Sequence, residues 1–297
     1  MKYRNVFVAN KTHLSTKNNC LILDNGEVDS IPLEDIRCIM IESKQTTITA
    51  AVLSKLSENG AAVIICDDYH MPTSMLTRVN GYSRQLKQLK LQESVTVPTQ
   101  KRLWSQIVKS KIENQALCLK FTGNEEGYTH LHNLCISVKS GDPQNIEGKA
   151  AAYYFKALFG KEFKRRTENE VNASLNYGYS IIRSYIARTI ALYGLEPSLG
   201  INHKSELNNF NLADDLIEPF RPIVDLYTYA HLGEAFSTAY RAALFTIINM
   251  DMVCGKERCA LNTAIERLVQ SVIACYKKKQ AELCLPVLVD LQYHKYE

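Results

Sequence analysis

No stretch of the chain approaches the roughly 20 consecutive apolar residues that a membrane-spanning helix needs. The opening MKYRNVFVAN has too short an apolar core for a secretory signal and reads as a strand. A cytoplasmic protein with no membrane association is therefore expected. A disulfide framework is lacking too. The nine cysteines are an odd number, scattered as Cys20, Cys38, Cys66, Cys118, Cys135, Cys254, Cys259, Cys275 and Cys284, mostly within apolar runs such as AAVIIC. That distribution predicts reduced, buried thiols. Cys254 and Cys259 form a C-x4-C pair with no matching second pair, too few ligands for a structural zinc site. There is no internal repeat, no low-complexity segment and no short metal-binding signature, which excludes a solenoid and a long disordered tail.

A large net charge is also missing, since 35 Lys and Arg against 31 Asp and Glu give +4. Where the charge lies says more. Residues 1–80 carry 8 basic and 9 acidic residues, 121–297 carry 19 and 20, and 81–120 carry 8 and 2. The whole excess sits in one band. Such a band is either an electrostatic footprint for phosphate or a solvated helix face, and charge alone does not choose between them.

What is present divides the 297 residues into two textures. Apolar residues make up 46% of the chain, enough for a proper core. In residues 1–80 the short Val- and Ile-rich runs VFVAN (6–10), CLILD (20–24), IRCIMIE (36–42) and AAVIIC (61–66) predict strands, bounded by turn residues such as Asp24-Asn25-Gly26. Between the last two, TTITAAVLSKLSENG predicts a helix capped by Thr47 or Thr49 and ended by Gly60. From Tyr82 onward the texture is helical. The segment 81–97, with RQLKQLKLQ, is the expected basic interdomain connection. A long amphipathic helix follows Pro98, with Trp104, Ile107, Val108, Ile112 and Leu119 near one face. Asp142 reads as an N-cap followed by Pro143 at the first helical position, opening IEGKAAAYYFKALFG. SLNYGYSIIRSYIARTIALYG ends on Gly194, and STAYRAALFTIINM and NTAIERLVQSVIACYKKK predict helices in the last third.

Three segments carry residues suited to chemistry. Glu147 stands in the first turn of an apolar helix, where a carboxylate is favoured by the helix dipole in any case. The adjoining Gly148 costs roughly 1 kcal/mol against alanine in a helix, and is expected where another backbone or a ligand approaches closely. His203, in the loop GINH, is either a packed or capping imidazole or a ligand. In residues 213–225, ADDLIEPFRPIVD, Asp215 and Glu218 are three apart and project from the same side of a helix. Pro219 and Pro222 deprive the Asp215 and Glu218 carbonyls of their N–H partners, so a kink beside the acids is predicted. The other reading is a helix starting near Glu218 and capped by Asp214 and Asp215. Taken together, one imidazole and two or three carboxylates suit Mg2+ or Mn2+, which would serve a phosphodiester substrate. A basic knot, Lys161, Lys164, Arg165 and Arg166, follows the Glu147 helix. Arg84, Lys87 and Lys90 lie in the connection and Lys277, Lys278 and Lys279 near the end. Asn176, Tyr177 and Arg183 stand on the helix before His203 as candidates for phosphate or sugar contacts.

The segments NIEGKAAAYYFKALFGKEFKRR, LNYGYSIIRSYIARTIALYGLEPSLGINH and NLADDLIEPFRPIVD, in this order, resemble the CRISPR-associated Cas1 family, especially the branch that accompanies the Cas9 effector. IPLEDIRCIMIESKQTTITAAVLSKLSENGAAVIICD resembles the same family's β-domain. The resemblance implies an α+β fold. A small N-terminal β-sandwich-like dimerisation domain (1–80) and a basic linker (81–97) would precede an all-helical metal-binding catalytic domain (98–297). It implies that Glu147, His203 and Glu218 are metal ligands and catalytic residues, with Asp215 an auxiliary acid. Glutamate at the third ligand, where many relatives have aspartate, fits that branch. It implies a metal-dependent integrase and endonuclease that inserts short DNA fragments at CRISPR repeats by 3′-hydroxyl transesterification. The implied partners are double-stranded prespacer and repeat DNA, a second copy of the chain, a Cas2-like protein and the Cas9 effector. DNA contacts are expected from Arg84, Lys161, Lys164, Arg165, Arg166, Asn176 and Arg183. Two further readings are a metal-dependent repair nuclease for branched DNA and a non-catalytic DNA-binding scaffold.

Overall fold

The computed structural model describes residues 4–76, 82 and 84–295. The expected boundary at residues 80 and 81 lies outside them.

The chain begins with strands β1 (Arg4–Val8), β2 (His13–Lys17), β3 (Cys20–Asp24), β4 (Val28–Pro32), β5 (Ile36–Ile41) and β6 (Thr47–Ile48). Helix α1 (Ala50–Glu58) follows, then β7 (Ala62–Cys66) and β8 (Pro72–Leu76). Thr49 caps α1 by accepting from the Val52 N–H. Two four-stranded sheets result, ordered β1-β5-β7-β8 and β4-β3-β2-β6. In the first, β1, β5 and β7 run parallel and β8 antiparallel.

The first sheet is buried on both faces, as parallel strands require. Alternation along β5 and β7 explains how. Ile36, Ile39, Ile41 and Val63 join Leu14, Leu21, Val52 and Leu56 in a core shared with the second sheet and α1. Cys38, Met40, Ala62 and Ile64 point the other way, into the core of the helical part.

The connection contains helix α2 (Gln85–Glu93). Its face is fixed by amides: Gln88 donates to the Tyr193 carbonyl, and Gln92 donates to the Glu196 carbonyl and accepts from the Glu196 N–H. Then come α3 (Val97–Phe121), α4 (Glu125–Ile136), α5 (Ile146–Phe159), α6 (Glu170–Leu192), α7 (Asn211–Leu216), a 3-10 turn (Glu218–Phe220), α8 (Arg221–Ala230) and α9 (Thr238–Phe245). The predicted kink beside the acids is the break between α7, the 3-10 turn and α8.

The all-helical expectation for 98–297 needs correction. A 3-10 turn (Thr246–Asn249) leads into β9 (Met250–Cys254) and β10 (Glu257–Ala260). Helix α10 (Leu261–Tyr276) and β11 (Pro286–Tyr293) complete a three-stranded antiparallel sheet, β10-β9-β11. All nine cysteines are free thiols, and Cys38, Cys66, Cys118, Cys254, Cys259 and Cys275 are buried. No helix among the described residues is long and apolar enough to cross a membrane.

Candidate metal centre and nucleic-acid cleft

The first turn of α5 is built to hold Glu147. The N-cap is Asn145, with φ of 50°, rather than Asp142. Its side-chain oxygen accepts from the Gly148 N–H at 3.2 Å. Asp142 reaches over from outside the helix, accepting from the N–H groups of Ile146 (2.9 Å) and Glu147 (3.0 Å). These bonds consume orphan donors of the helix start. They also explain Gly148, since a Cβ there would come within 2.7 Å of the Asn145 amide. The glycine makes room for the cap.

Glu218 opens the 3-10 turn and is buried, 5% exposed. The turn is held by Asn114 on α3, whose amide donates to the Pro219 carbonyl at 2.7 Å and the Pro286 carbonyl at 2.9 Å. Between Glu147 and Glu218 lies Lys111, also on α3. Its Nζ is 2.6 Å from Glu147 Oε1 and 2.5 Å from Glu218 Oε2. The first approach is a hydrogen bond. The second is an ion pair that seats the same ammonium against the buried Glu218 Oε2. Arg221 Nε donates to Glu218 Oε1 at 2.8 Å. Burial alone would raise the Glu218 carboxyl, but Lys111 and Arg221 outweigh it and hold it down to about 2. Burial likewise disfavours the Lys111 ammonium, yet Glu218 and Glu147 keep its pKa above the ordinary lysine value.

His203 is organised by Asp215. The Asp215 carboxylate accepts from the N–H groups of Ile201 (2.5 Å), Asn202 (2.9 Å) and His203 (3.2 Å) and lies 2.7 Å from His203 Nδ1. Gly200 permits this wrapping, because a Cβ would collide with the His203 carbonyl oxygen and stand 2.9 Å from Asp215 Oδ2. An ionised carboxylate only accepts, so Nδ1 carries a proton, and in the neutral ring Nε2 presents its lone pair. Trp104 packs edge-on against the ring at 5.9 Å. Both oxygens of Asp215 are engaged and the residue is fully buried, an arrangement that orients the imidazole.

The structure thus brings Glu147 and Glu218 onto one ammonium, with His203 on its own carboxylate one turn of chain away. Among the described residues, no three His, Cys, Asp or Glu side chains already form a metal cage. The donor chemistry nonetheless fits a hard divalent ion. Two carboxylates, one of them buried, converge on one cation, and the Nδ1 side of a nearby imidazole is fixed by a carboxylate.

Beside Glu218 a cleft of about 590 Å³ is lined by Lys111, Gln115, Arg165, Arg166, Tyr179 and Arg221, among others. Arg165 is held in place by Asn172 (3.0 Å) and Asn176 (2.8 Å), with Tyr179 under its guanidinium at 5.2 Å. Arg221 lies over the same ring at 4.6 Å. Behind it Asp225 accepts from Tyr179 and Tyr154, and burial pushes its carboxyl up to about 6. Lys161, Lys164 and Arg84 are exposed. Two expected DNA contacts are otherwise engaged. Arg183 is paired with Asp214 at 2.5 Å, and Tyr177 is fully buried with its hydroxyl on Met40. Lys111 and Arg221 were missed as site residues. The signal for Lys111 was present: it interrupts the apolar face that runs through Trp104, Ile107, Val108, Ile112 and Leu119.

Comparison with known proteins bears on these features. Residues 6–234 match the family described as CRISPR associated protein Cas1. The CRISPR-associated endonuclease Cas1 of Neisseria meningitidis serogroup C is 41% identical over 304 residues, covering 100% of both chains. That of Korarchaeum cryptofilum is 24% identical, covering 73% of each. Among solved structures, a Cas6-RT-Cas1--Cas2 complex aligns over 97% of this chain and 36% of that one, with a TM-score of 0.72 and 20% identity. This chain thus spans about a third of that longer one. A casposase bound to integration product aligns over 95% and 92%, with a TM-score of 0.70 and 18% identity. The chain belongs to the CRISPR-associated Cas1 family.

Proposed function

We propose that this chain is a metal-dependent DNA integrase and endonuclease of CRISPR adaptation, acting in the cytoplasm. One observation carries the reading: Glu147 and Glu218 converge on a single cation position at the edge of an arginine-lined cleft. Glu147, Glu218 and His203 would hold Mg2+ or Mn2+. Such an ion, when bound, polarises the scissile phosphate and favours deprotonation of the attacking hydroxyl. The remaining chemistry belongs to the chain. Arg165, Arg166 and Arg221 present guanidinium groups to phosphate oxygens, and guanidinium matches that geometry. Lys161 and Lys164 extend the positive surface, with Arg84, Lys87 and Lys90 in the connection. Asp215 keeps the Nδ1 proton of His203 in place.

The 3′-hydroxyl of a short DNA fragment attacks a phosphodiester at the edge of a CRISPR repeat. One P–O bond forms, one breaks, and the leaving 3′ oxygen takes up a proton. The number of phosphodiester bonds is conserved, so no nucleoside triphosphate is required. With water as the nucleophile, the same centre hydrolyses. Chains of this fold solved with Cas2, and a casposase on its integration product, support the assignment. A Cas2-like protein would bridge two homodimers. The bare edges of the N-terminal sheets are suited to self-pairing, and a strictly monomeric chain at micromolar concentration by light scattering would refute the dimer. The Cas9 effector is a further partner implied by the family resemblance.

The test is substitution. Glu147→Ala, His203→Ala and Glu218→Ala should each abolish Mg2+- or Mn2+-dependent plasmid nicking and DNA joining while the circular dichroism spectrum is kept. Full activity in Glu147→Ala or Glu218→Ala would overturn the assignment.

A further inference from the structure

Lys111 lies on the buried face of α3, only 8% exposed, between Val108 and Ile112. An ammonium in such a place is tolerated only where charge compensates it. Here Glu147 and Glu218 do so, at 2.6 and 2.5 Å. The converse holds as well: without the ammonium the two carboxylates would repel across a poorly solvated gap. A divalent ion bound by these oxygens would need the space Nζ occupies, so the two cations exclude each other.

The ammonium also has somewhere to go. Gln115, one turn further along the same face, is 1% exposed, lines the same cleft, and its Oε1 has no hydrogen-bond partner. The cleft continues to Arg165, Arg166 and Arg221, where a DNA phosphate would supply a stronger acceptor. We infer that Lys111 is an exchangeable counter-cation. It neutralises Glu147 and Glu218 in the DNA-free protein, and yields them to a divalent ion when its ammonium turns to Gln115 and an incoming phosphate. This rests on the metal-site reading above. No covalent bond changes; one cation replaces another on the same oxygens. Reciprocity follows, because DNA and metal then raise each other's affinity by the same factor.

The experiment compares wild type, Lys111→Met and Lys111→Met/Glu147→Gln. Melting temperature is measured in EDTA, and Mn2+ affinity from the electron paramagnetic resonance of free Mn2+. Affinity is measured with and without a short duplex carrying dideoxy 3′ ends. Lys111→Met should melt lower than wild type in EDTA, and the added Glu147→Gln should recover much of the loss. Without DNA, Lys111→Met should bind Mn2+ at least about tenfold more tightly than wild type, since a competing charge is gone. The duplex should improve the Mn2+ affinity of wild type more than that of Lys111→Met. If Lys111→Met fails to fold in EDTA, the double variant carries the comparison: its recovery supports the exchange, and equal failure overturns it. Ordinary Mn2+ binding by wild type with no tightening in Lys111→Met sinks the exchange alone. Absence of Mn2+ binding in all three proteins sinks the metal-site reading and the exchange with it.

Discussion

Asp215 is fully buried, and its two oxygens serve three backbone N–H groups and one imidazole. Asparagine would turn an NH2 group toward those donors, so Asp215→Asn should destabilise the protein by about 3 kcal/mol in urea denaturation. The His203 imidazole is raised above its ordinary value by its hydrogen bond to Asp215, against the opposing pull of burial. A raised folded-state value means that this pair contributes stability in full below the unfolded value of about 6.5, and loses it as pH climbs through the folded value. The melting-temperature gap between wild type and His203→Asn should therefore close with rising pH; a gap that widens would contradict the pairing. At this scale the acids were legible because carboxylates and prolines in an apolar helix conflict with stability. Lys111 interrupts the apolar face of its helix, but a lysine within an amphipathic helix usually reads as an exposed one, which hides that signal. Asp142 was read as the cap of α5, and the left-handed turn at Asn145 that displaces it leaves little trace in composition.

Helix α3 is the element on which the centre is assembled. It carries Lys111, and it carries Asn114, which donates to the Pro219 and Pro286 carbonyls and accepts from the Leu288 N–H at 2.9 Å. One side chain thus ties α3, the Glu218 turn and β11 together. Asn114→Ala would remove all three bonds and leave the Pro286 carbonyl only the Ser110 hydroxyl at 3.3 Å, at a cost of roughly 3 kcal/mol. It should also loosen Glu218, so Mn2+ affinity should fall along with the urea midpoint; a variant losing neither would refute the latch. The helices α3, α5 and α6 were legible from their periodicity and punctuation, and the 3-10 break from Pro219 and Pro222. The sheet β10-β9-β11 was not. MDMVC is a short run buried nearly throughout, with one β-branched residue, and such runs do not distinguish strand from helix by period. One partner, β10, follows across a short hairpin, but the other, β11, lies beyond α10, a pairing that no local pattern announces.

At the scale of the whole molecule, the first sheet joins the two parts of the chain. Its outer-lying face would be solvated in an isolated β-domain; here Cys38, Met40 and Ile64 pack into the helical core. Glu42, just past β5, is 4% exposed and makes a two-pronged pair with Arg241 of α9, at 2.6 and 3.1 Å. Glu42→Gln would leave the Arg241 charge uncompensated, costing about 3–5 kcal/mol, and should turn one cooperative unfolding transition into two. A single transition at the wild-type midpoint would show the pair to be dispensable. The packing places the arginine-lined cleft beside Glu218, and the proposed chemistry on DNA ends rests on that placement. The most direct measurement of that claim follows a labelled short duplex. Mixed with this chain, a Cas2-like partner, Mg2+ or Mn2+ and a supercoiled plasmid bearing a CRISPR repeat, the label should enter the plasmid without ATP as the plasmid becomes nicked. Dideoxy 3′ ends should stop joining, because the nucleophile is missing, while leaving hydrolytic nicking, and Glu147→Ala should stop both. Label that never enters the plasmid, with branched DNA cut efficiently or with DNA bound and left intact, would contradict the account.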